Sequence, residues 1–152
     1  MAFQVELVNT WLVFIYKVPN EPSARRVYVW RKLKTMGAIL LQDSAWVLPA
    51  NPRTREKMQW LAAEIKEMEG GDATLWEASQ IFTGRDVELE DQFSRQVDIL
   101  YNDIMKQLQK KRPDLAALSR QYQLARSQDY FQSELGKKVY EALLELRGKG
   151  ES

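Results

Sequence analysis

Seven cations, Arg25, Arg26, Arg31, Lys32, Lys34, Arg53 and Arg55, are the residues in this sequence best placed to do chemistry. They belong to the first 60 residues, where nine basic side chains stand against four acidic ones, although the whole chain carries a net charge of only +1. Arginine and lysine on a helix surface neutralise phosphates, and Arg53 and Arg55 follow Asn51-Pro52, so they fall in the first turn of a helix, where free backbone amides attract anions. The chemistry implied is the holding of DNA phosphates or of a small oxyanion. The competing reading is a helix surface that is merely solvated, and the residues leave both open. No helix-turn-helix pattern accompanies the cations, so nothing here reads base edges.

Other candidates weigh less. Trp30, Trp46, Trp60 and Trp76 could form a stacking platform for bases. Each sits within or beside an apolar run, so packing in the core is the favoured reading. Asp86, Glu88, Glu90 and Asp91 cluster where a helix begins, the ordinary place for acid near a helix dipole. Lys137-Lys138 beside Gly136 lack the upstream glycine of a phosphate-binding loop. The chain has no cysteine and no histidine, which removes disulfides, thiol redox chemistry, zinc fingers, catalytic triads and imidazole ligation together. No catalytic constellation, metal site or cofactor is expected.

The elements that must position these residues follow from the pattern. With 45% hydrophobic and 28% charged residues, the chain has the composition of a globular protein. Its longest apolar run is far short of a membrane span, and Met1 to Thr10 carries acid where a signal peptide carries base, so a cytoplasmic protein is expected. Apolar, β-rich residues run from Trp11 to Tyr16 and resume at Val18 before Pro19, which predicts a strand buried on both faces. Ser23, as a cap, or Pro22, at the first helical position, opens a helix to about Met36 with the stripe Val29, Leu33 and Met36, closed by Gly37. Ala38 to Ala50 reads as a hairpin around Gln42-Asp43-Ser44. A second helix runs from Asn51-Pro52 along Met58, Leu61, Ala62, Ile65 and Met68 to Gly70-Gly71. Ala73 to Phe82 reads as a last strand nearer a sheet edge.

Strand, helix, strand, strand, helix, strand is the split βαβ, or ferredoxin-like, order. The fold expected is therefore α+β: a four-stranded antiparallel sheet over residues 1–84, with both helices on one face, and an all-helical segment over 85–152. That segment reads as three helices. Leu89, Phe93, Val97, Leu100, Ile104 and Leu108 mark the first, with Lys110-Lys111-Arg112 at its end and Pro113 as its stop. Leu115, Leu118, Tyr122 and Ala125 mark the second, and Phe131, Leu135, Val139, Ala142 and Leu146 the third, after a break near Ser127 to Asp129. Gly148 to Ser152 is expected to fray. The sheet face away from the helices is apolar, so the C-terminal helices or a second subunit must hide it.

These residues resemble a known family. Trp11-Leu-Val-Phe-Ile-Tyr-Lys-Val-Pro19, the helix from Ser23 to Lys34, Gly37-Ala38 leading into Leu41 to Pro49, Arg53-Thr-Arg-Glu56 and Trp60-Leu-Ala-Ala-Glu64 are similar to the N-terminal domain of the ChrB family of chromate-resistance regulatory proteins. Asp129-Tyr-Phe131 extends the likeness into the helical half. The resemblance implies a chromate-responsive regulator of efflux operons, and hence DNA binding. Typical members carry a further C-terminal domain, and the sequence ends before one. The first half also resembles the ferredoxin-like domain of phenylacetate-type repressors and of the small CRISPR-adaptation nuclease subunit. There an aspartate closes the first strand as a metal ligand; here Lys17 stands at that end, which disfavours a cation and with it nuclease activity.

Two functions from different classes are thus expected. One is a homodimeric, cytoplasmic transcription regulator that binds DNA through the basic helix. The other is an interaction module that holds chromate or another oxyanion at Arg25, Arg26 and Arg53 with no DNA role. In either, chromate would be bound as a dianion by Arg, Lys and backbone amides and never reduced by a thiol.

Overall fold

The computed structural model describes residues 9–82 and 84–151; the leader Met1 to Val8 and Ser152 lie outside them. Among the described residues the order is β1 (Trp11–Lys17), α1 (Ser23–Met36), β2 (Ile39–Gln42), β3 (Ala45–Pro49), α2 (Pro52–Glu67), β4 (Asp72–Ala78), α3 (Arg85–Leu108), α4 (Leu115–Ser127) and α5 (Glu134–Glu151). The four strands form one sheet in the order β2-β3-β1-β4, every neighbouring pair antiparallel. This is the ferredoxin-like arrangement that the element order predicts. The chain divides into two compact units, residues 1–88 and 89–152.

In the first unit β1 is central, because β3 pairs along one side and β4 along the other. Side chains alternate across a strand, and β1 uses the alternation unequally. Leu12 and Phe14 on one face have no exposure, whereas Ile15 on the other is 44% exposed. The strand is therefore not buried on both faces as its composition suggests. Leu12 and Phe14 share their face with Leu48 and Trp46, their partners on β3, and all four are buried. On the opposite face Trp11 and Val47 are buried, but Trp76 joins Ile15 among the exposed apolar residues. Trp11 is held by its indole, whose Nε1 donates to Asp86 Oδ1 at 3.0 Å, while the Asn9 amide donates to Asp86 Oδ2 at 3.0 Å.

The helices follow their stripes, with corrections at the ends. Val29, Leu33 and Met36 of α1 are buried, and Gly37, at φ 80°, closes it with its amide on Lys34 and Ala38 on Leu33. A left-handed residue here suits glycine, which has no Cβ to clash. Pro22 occupies the N-cap position and Ser23 the first helical one, and no side chain caps the amides, so neither arrangement read from the sequence holds. β4 ends at Ala78 rather than near Phe82. Its ladder to β1 stops at Trp11↔Ala78 among the described residues, and beyond it Ile81 and Phe82 are exposed.

In the second unit α3, α4 and α5 close around Val97, Tyr101, Ile104, Leu118, Tyr122, Ala125, Val139 and Leu143. Asp114 caps α4, its Oδ1 accepting from the Ala117 amide at 3.1 Å. Lys110, Lys111 and Arg112 lie beyond the end of α3 at Leu108, and Lys106 is the cation of its last turn. α5 starts at Glu134, three residues after Phe131, because Gln132 takes φ 54° and breaks the helical path. It continues as helix past Gly148 to Glu151, where fraying was expected.

Tyr101 is fully buried yet polar, and two features accommodate it. Its hydroxyl donates to Asp129 Oδ2 at 2.9 Å. Its ring lies against Gly136, where an added Cβ would come within 2.8 Å of Cε2 and Cζ. Ala ordinarily favours a helix over Gly by about 1 kcal/mol, but the overlap here involves the side of a buried ring, and overpacking costs about 1–3 kcal/mol. Gly136→Ala is therefore expected to lower stability, whereas Gly148→Ala, with open space around it, leaves it unchanged or raises it. Chemical denaturation of the two variants checks the contrast.

Candidate functional site

Burial of one stripe of α1 forces its cations outward. Arg26, Arg31, Lys32 and Lys34 are exposed. Arg25 is half-buried, and its Nη1 donates to the Glu69 carbonyl at 3.0 Å, tying the start of α1 to the end of α2. Two of the lysines lie over aromatic rings of the same helix: Lys32 Nζ is 5.5 Å from the Tyr28 ring centre and Lys34 Nζ is 5.9 Å from that of Trp30. These are cation–π distances at the spacing of neighbours on a helix surface.

Between α1 and α2 lies a groove of about 520 Å³, lined by Tyr28, Arg31, Lys32 and Thr35 from α1 and Lys57, Trp60 and Glu64 from α2, with Met36 and Leu61 beneath. The Tyr28 hydroxyl donates to the Glu64 carboxylate, and that bond, aided by burial and by the carboxylate's charge, raises the tyrosine pKa. Lys57 is shifted the other way: burial first, and then the charge of Arg53, lower its pKa. The groove thus joins three cations to two aromatic rings, and it carries one carboxylate already engaged by a phenol. Lys57, Tyr28 and Glu64 are not among the residues singled out in the sequence, and Trp60 reads there as a core residue. The signal for them lies in i, i+3 and i, i+4 spacings: Lys57 with Trp60, Trp60 with Glu64, and Tyr28 with Lys32.

The N-terminus of α2 is a different matter. Asn51 Oδ1 accepts from the Thr54 amide at 2.8 Å, and Thr54 Oγ1 accepts from the Asn51 amide at 3.0 Å while donating to the Pro49 carbonyl at 2.6 Å. The Arg55 amide is bonded to the Asn51 carbonyl at 2.9 Å, and Pro52 has no N–H to offer. The reciprocal cap therefore occupies amides that an anion would need. Arg55 is neutralised as well, its guanidinium bridging to Glu77 on β4 with Nε at 2.7 Å. Of the seven cations, five lie on α1, two of them, Arg31 and Lys32, in the groove, and Arg53 and Arg55 add no anion-binding turn to them.

The tryptophans correct the sequence reading. Trp46 is in the core, but Trp30, Trp60 and Trp76 are 51%, 67% and 57% exposed. Among the carboxylates, Glu88 pairs with Arg85 at 3.3 Å, and Asp86 does more than favour a helix start, since it receives the bonds from Asn9 and Trp11. Lys17 is exposed and paired in register with Asp72. Among the described residues no group of three or more carboxylates could hold a metal ion, and no helix is long and apolar enough to cross a membrane.

Sheet and helix pair together define a ferredoxin-like α+β protein, with a groove between the helices that gathers three cations and two aromatic rings. The chain belongs to the ChrB N-terminal domain family, described as "Protein ChrB, N-terminal", whose sequence pattern matches residues 26–128, more than half of the chain. Protein ChrB of Cupriavidus metallidurans is 34% identical over 62 residues, which are 41% of this chain and 19% of that protein. The match thus spans about a fifth of the relative's length. No solved structure matches the chain.

Since burial and Arg53 both disfavour the ammonium form, the Lys57 amine is expected to titrate below the ordinary lysine value of 10.5. Arg53→Gln removes the smaller cause and should move the titration part of the way back up, leaving the contribution of burial. Side-chain NMR of Lys57 against pH reads both; a wild-type value at or above that of free lysine would contradict the downward shift.

Proposed function

We propose that the protein is a regulator of the chromate-response kind, non-enzymatic, that contacts nucleic acid through the cationic face of α1 and the adjoining groove. The observation that carries this reading is the juxtaposition of Arg31, Lys32 and Lys57 with the exposed rings of Tyr28 and Trp60. Phosphates meet the cations, and the rings offer contact to sugar or to an unstacked base. The name of the relative, a ChrB protein, supports the regulatory part of the proposal. A cytoplasmic homodimer fits it too. Ile15 and Trp76 are exposed on the sheet face away from Leu12 and Phe14, and a second copy would both cover them and double a modest charge. A site for a free oxyanion such as chromate at Arg25, Arg26 and Arg53 is the weaker alternative, because Arg25 is tied to Glu69 and the cap at Asn51 competes for the nearby amides.

Phosphate contacts predict a specific dependence on salt. The logarithm of the affinity should fall linearly with the logarithm of salt concentration, by about 0.9 per phosphate neutralised on duplex DNA. Replacing Arg25, Arg26 and Arg31 together by Ala should weaken binding to the promoter region of its own operon and to unrelated duplex alike, and flatten the slope by about 1–3. The fold should survive, since Arg26 and Arg31 are solvent-facing and Arg25 holds one peripheral carbonyl. Fluorescence anisotropy over a salt series gives the slope; unchanged affinity and slope in the folded triple variant would refute the proposal.

A further inference from the structure

The helical unit contains a second cavity, of about 570 Å³, lined by Tyr101 of α3, Tyr122 and Arg126 of α4, Asp129 and Ser133 of the connection, and Tyr140 of α5, among others. The nucleic-acid reading makes no use of it. Three of its walls are tyrosines in a row: the Tyr122 ring centre is 6.1 Å from that of Tyr101 and 5.8 Å from that of Tyr140, with the rings tilted by 36° and 33°. The row runs from a fully buried ring through one that is 8% exposed to one that is 46% exposed, so it leads from the core to the opening.

The polar groups of the cavity divide into those that are engaged and those that are not. Tyr101 and Asp129 are engaged. The phenol donates to Asp129 Oδ2, the Ser133 amide donates to Oδ1 at 2.9 Å, and burial with the adjacent carboxylate holds the phenol well above its usual pKa. Lys137 at the rim is 3.2 Å from Glu134. Tyr122 is different. As a residue it is more than nine-tenths buried, and its hydroxyl, which makes no side-chain hydrogen bond among the described residues, is an accessible atom. No buried polar atom of the described residues is sealed away unsatisfied, so this hydroxyl opens into the cavity that Tyr122 lines. Arg126 stands one helical turn further along α4 and lines the same space, and its guanidinium also has no hydrogen bond or ion pair among the described residues. A cation in the last turn of a helix is favourable by itself. That does not account for a hydroxyl on a buried ring opening into the same cavity.

The ligand chemistry follows from these parts. A guanidinium fork beside a hydroxyl donor suits a planar carboxylate, which takes two parallel bonds from arginine. Aromatic walls suit a flat ring, offset-stacked on Tyr140 and Tyr122. Arg126 and Lys137 stand against Asp129 and Glu141 in the lining, so the cavity has no net positive field and an anion there would be held by its local contact with Arg126. The volume is that of a site for a small organic molecule. We propose that this cavity binds a small aromatic carboxylate, with its carboxylate on Arg126 and the Tyr122 hydroxyl and its ring against Tyr140.

Benzoate is the probe, with cyclohexanecarboxylate and inorganic phosphate as controls, each titrated calorimetrically into the full chain at millimolar concentration. One benzoate per chain should bind, with cyclohexanecarboxylate and phosphate each about tenfold weaker or absent. Arg126→Gln and Tyr122→Phe should each weaken benzoate about tenfold or more. Tyr122→Phe keeps the packed ring and Arg126 is exposed, so thermal unfolding of both variants should remain near that of the parent. Absence of benzoate binding, equal binding of either control, or full binding in both folded variants would overturn the proposal. If one variant fails to fold, the other decides by the same criterion.

Discussion

β1 is paired on both sides, and this constraint organises the first unit. With β3 along one side and β4 along the other, its backbone is committed to the sheet. Burying its large apolar side chains is then a choice of face. Leu12 and Phe14, each contributing about 1.5–3 kcal/mol when fully buried, set that choice, together with Trp46 and Leu48 from β3. The buried stripes of α1, at Val29, Leu33 and Met36, and of α2, at Met58, Leu61, Ala62 and Ile65, leave the remaining surfaces of both helices to solvent. The cations of α1 lie on the surface left over by its stripe, which they share with Val27, Tyr28 and Trp30.

The end of β3 and the start of α2 show how a structural device limits function. Thr54 is fully buried, so its hydroxyl must be satisfied, and it is, by the Pro49 carbonyl and the Asn51 amide. The same residues cap α2. A helix N-terminus that reads in sequence as an anion site is thereby closed by its own cap, and the neighbouring Arg55 is drawn across to Glu77 on the sheet. The groove between the helices keeps its cations and aromatic rings, and the one carboxylate of its lining, Glu64, is occupied by Tyr28.

Legibility in the sequence depended on range. The periodic stripes of α1, α2 and α4, the Gly37 stop and the Asn51-Pro52 start could all be read, because each is written in residues close together in the chain, and the antiparallel sheet followed from the order of the elements. The end of β4 could not, since it is set by where β1 begins to pair, sixty-odd residues away. Asp86 reads locally as helix-start acid, and only the folded chain brings it to Trp11. The exposed tryptophans misled for a related reason: Trp30 and Trp60 lie one position from their helices' buried stripes, and a single step of about 100° on a helix turns a side chain from core to solvent. The tyrosine row of the second unit draws one ring from each of three helices and was invisible to any local pattern.

The proposed contact of the α1 surface and its groove with nucleic acid is read by amide and indole NMR of the full chain during titration with duplex DNA at low salt. The account predicts shift changes concentrated at Tyr28 to Lys34, at Lys57 and at the indoles of Trp30 and Trp60, reversed by added salt, with residues 115–147 little affected. Changes centred on the second unit, or none at all at low salt, would contradict it.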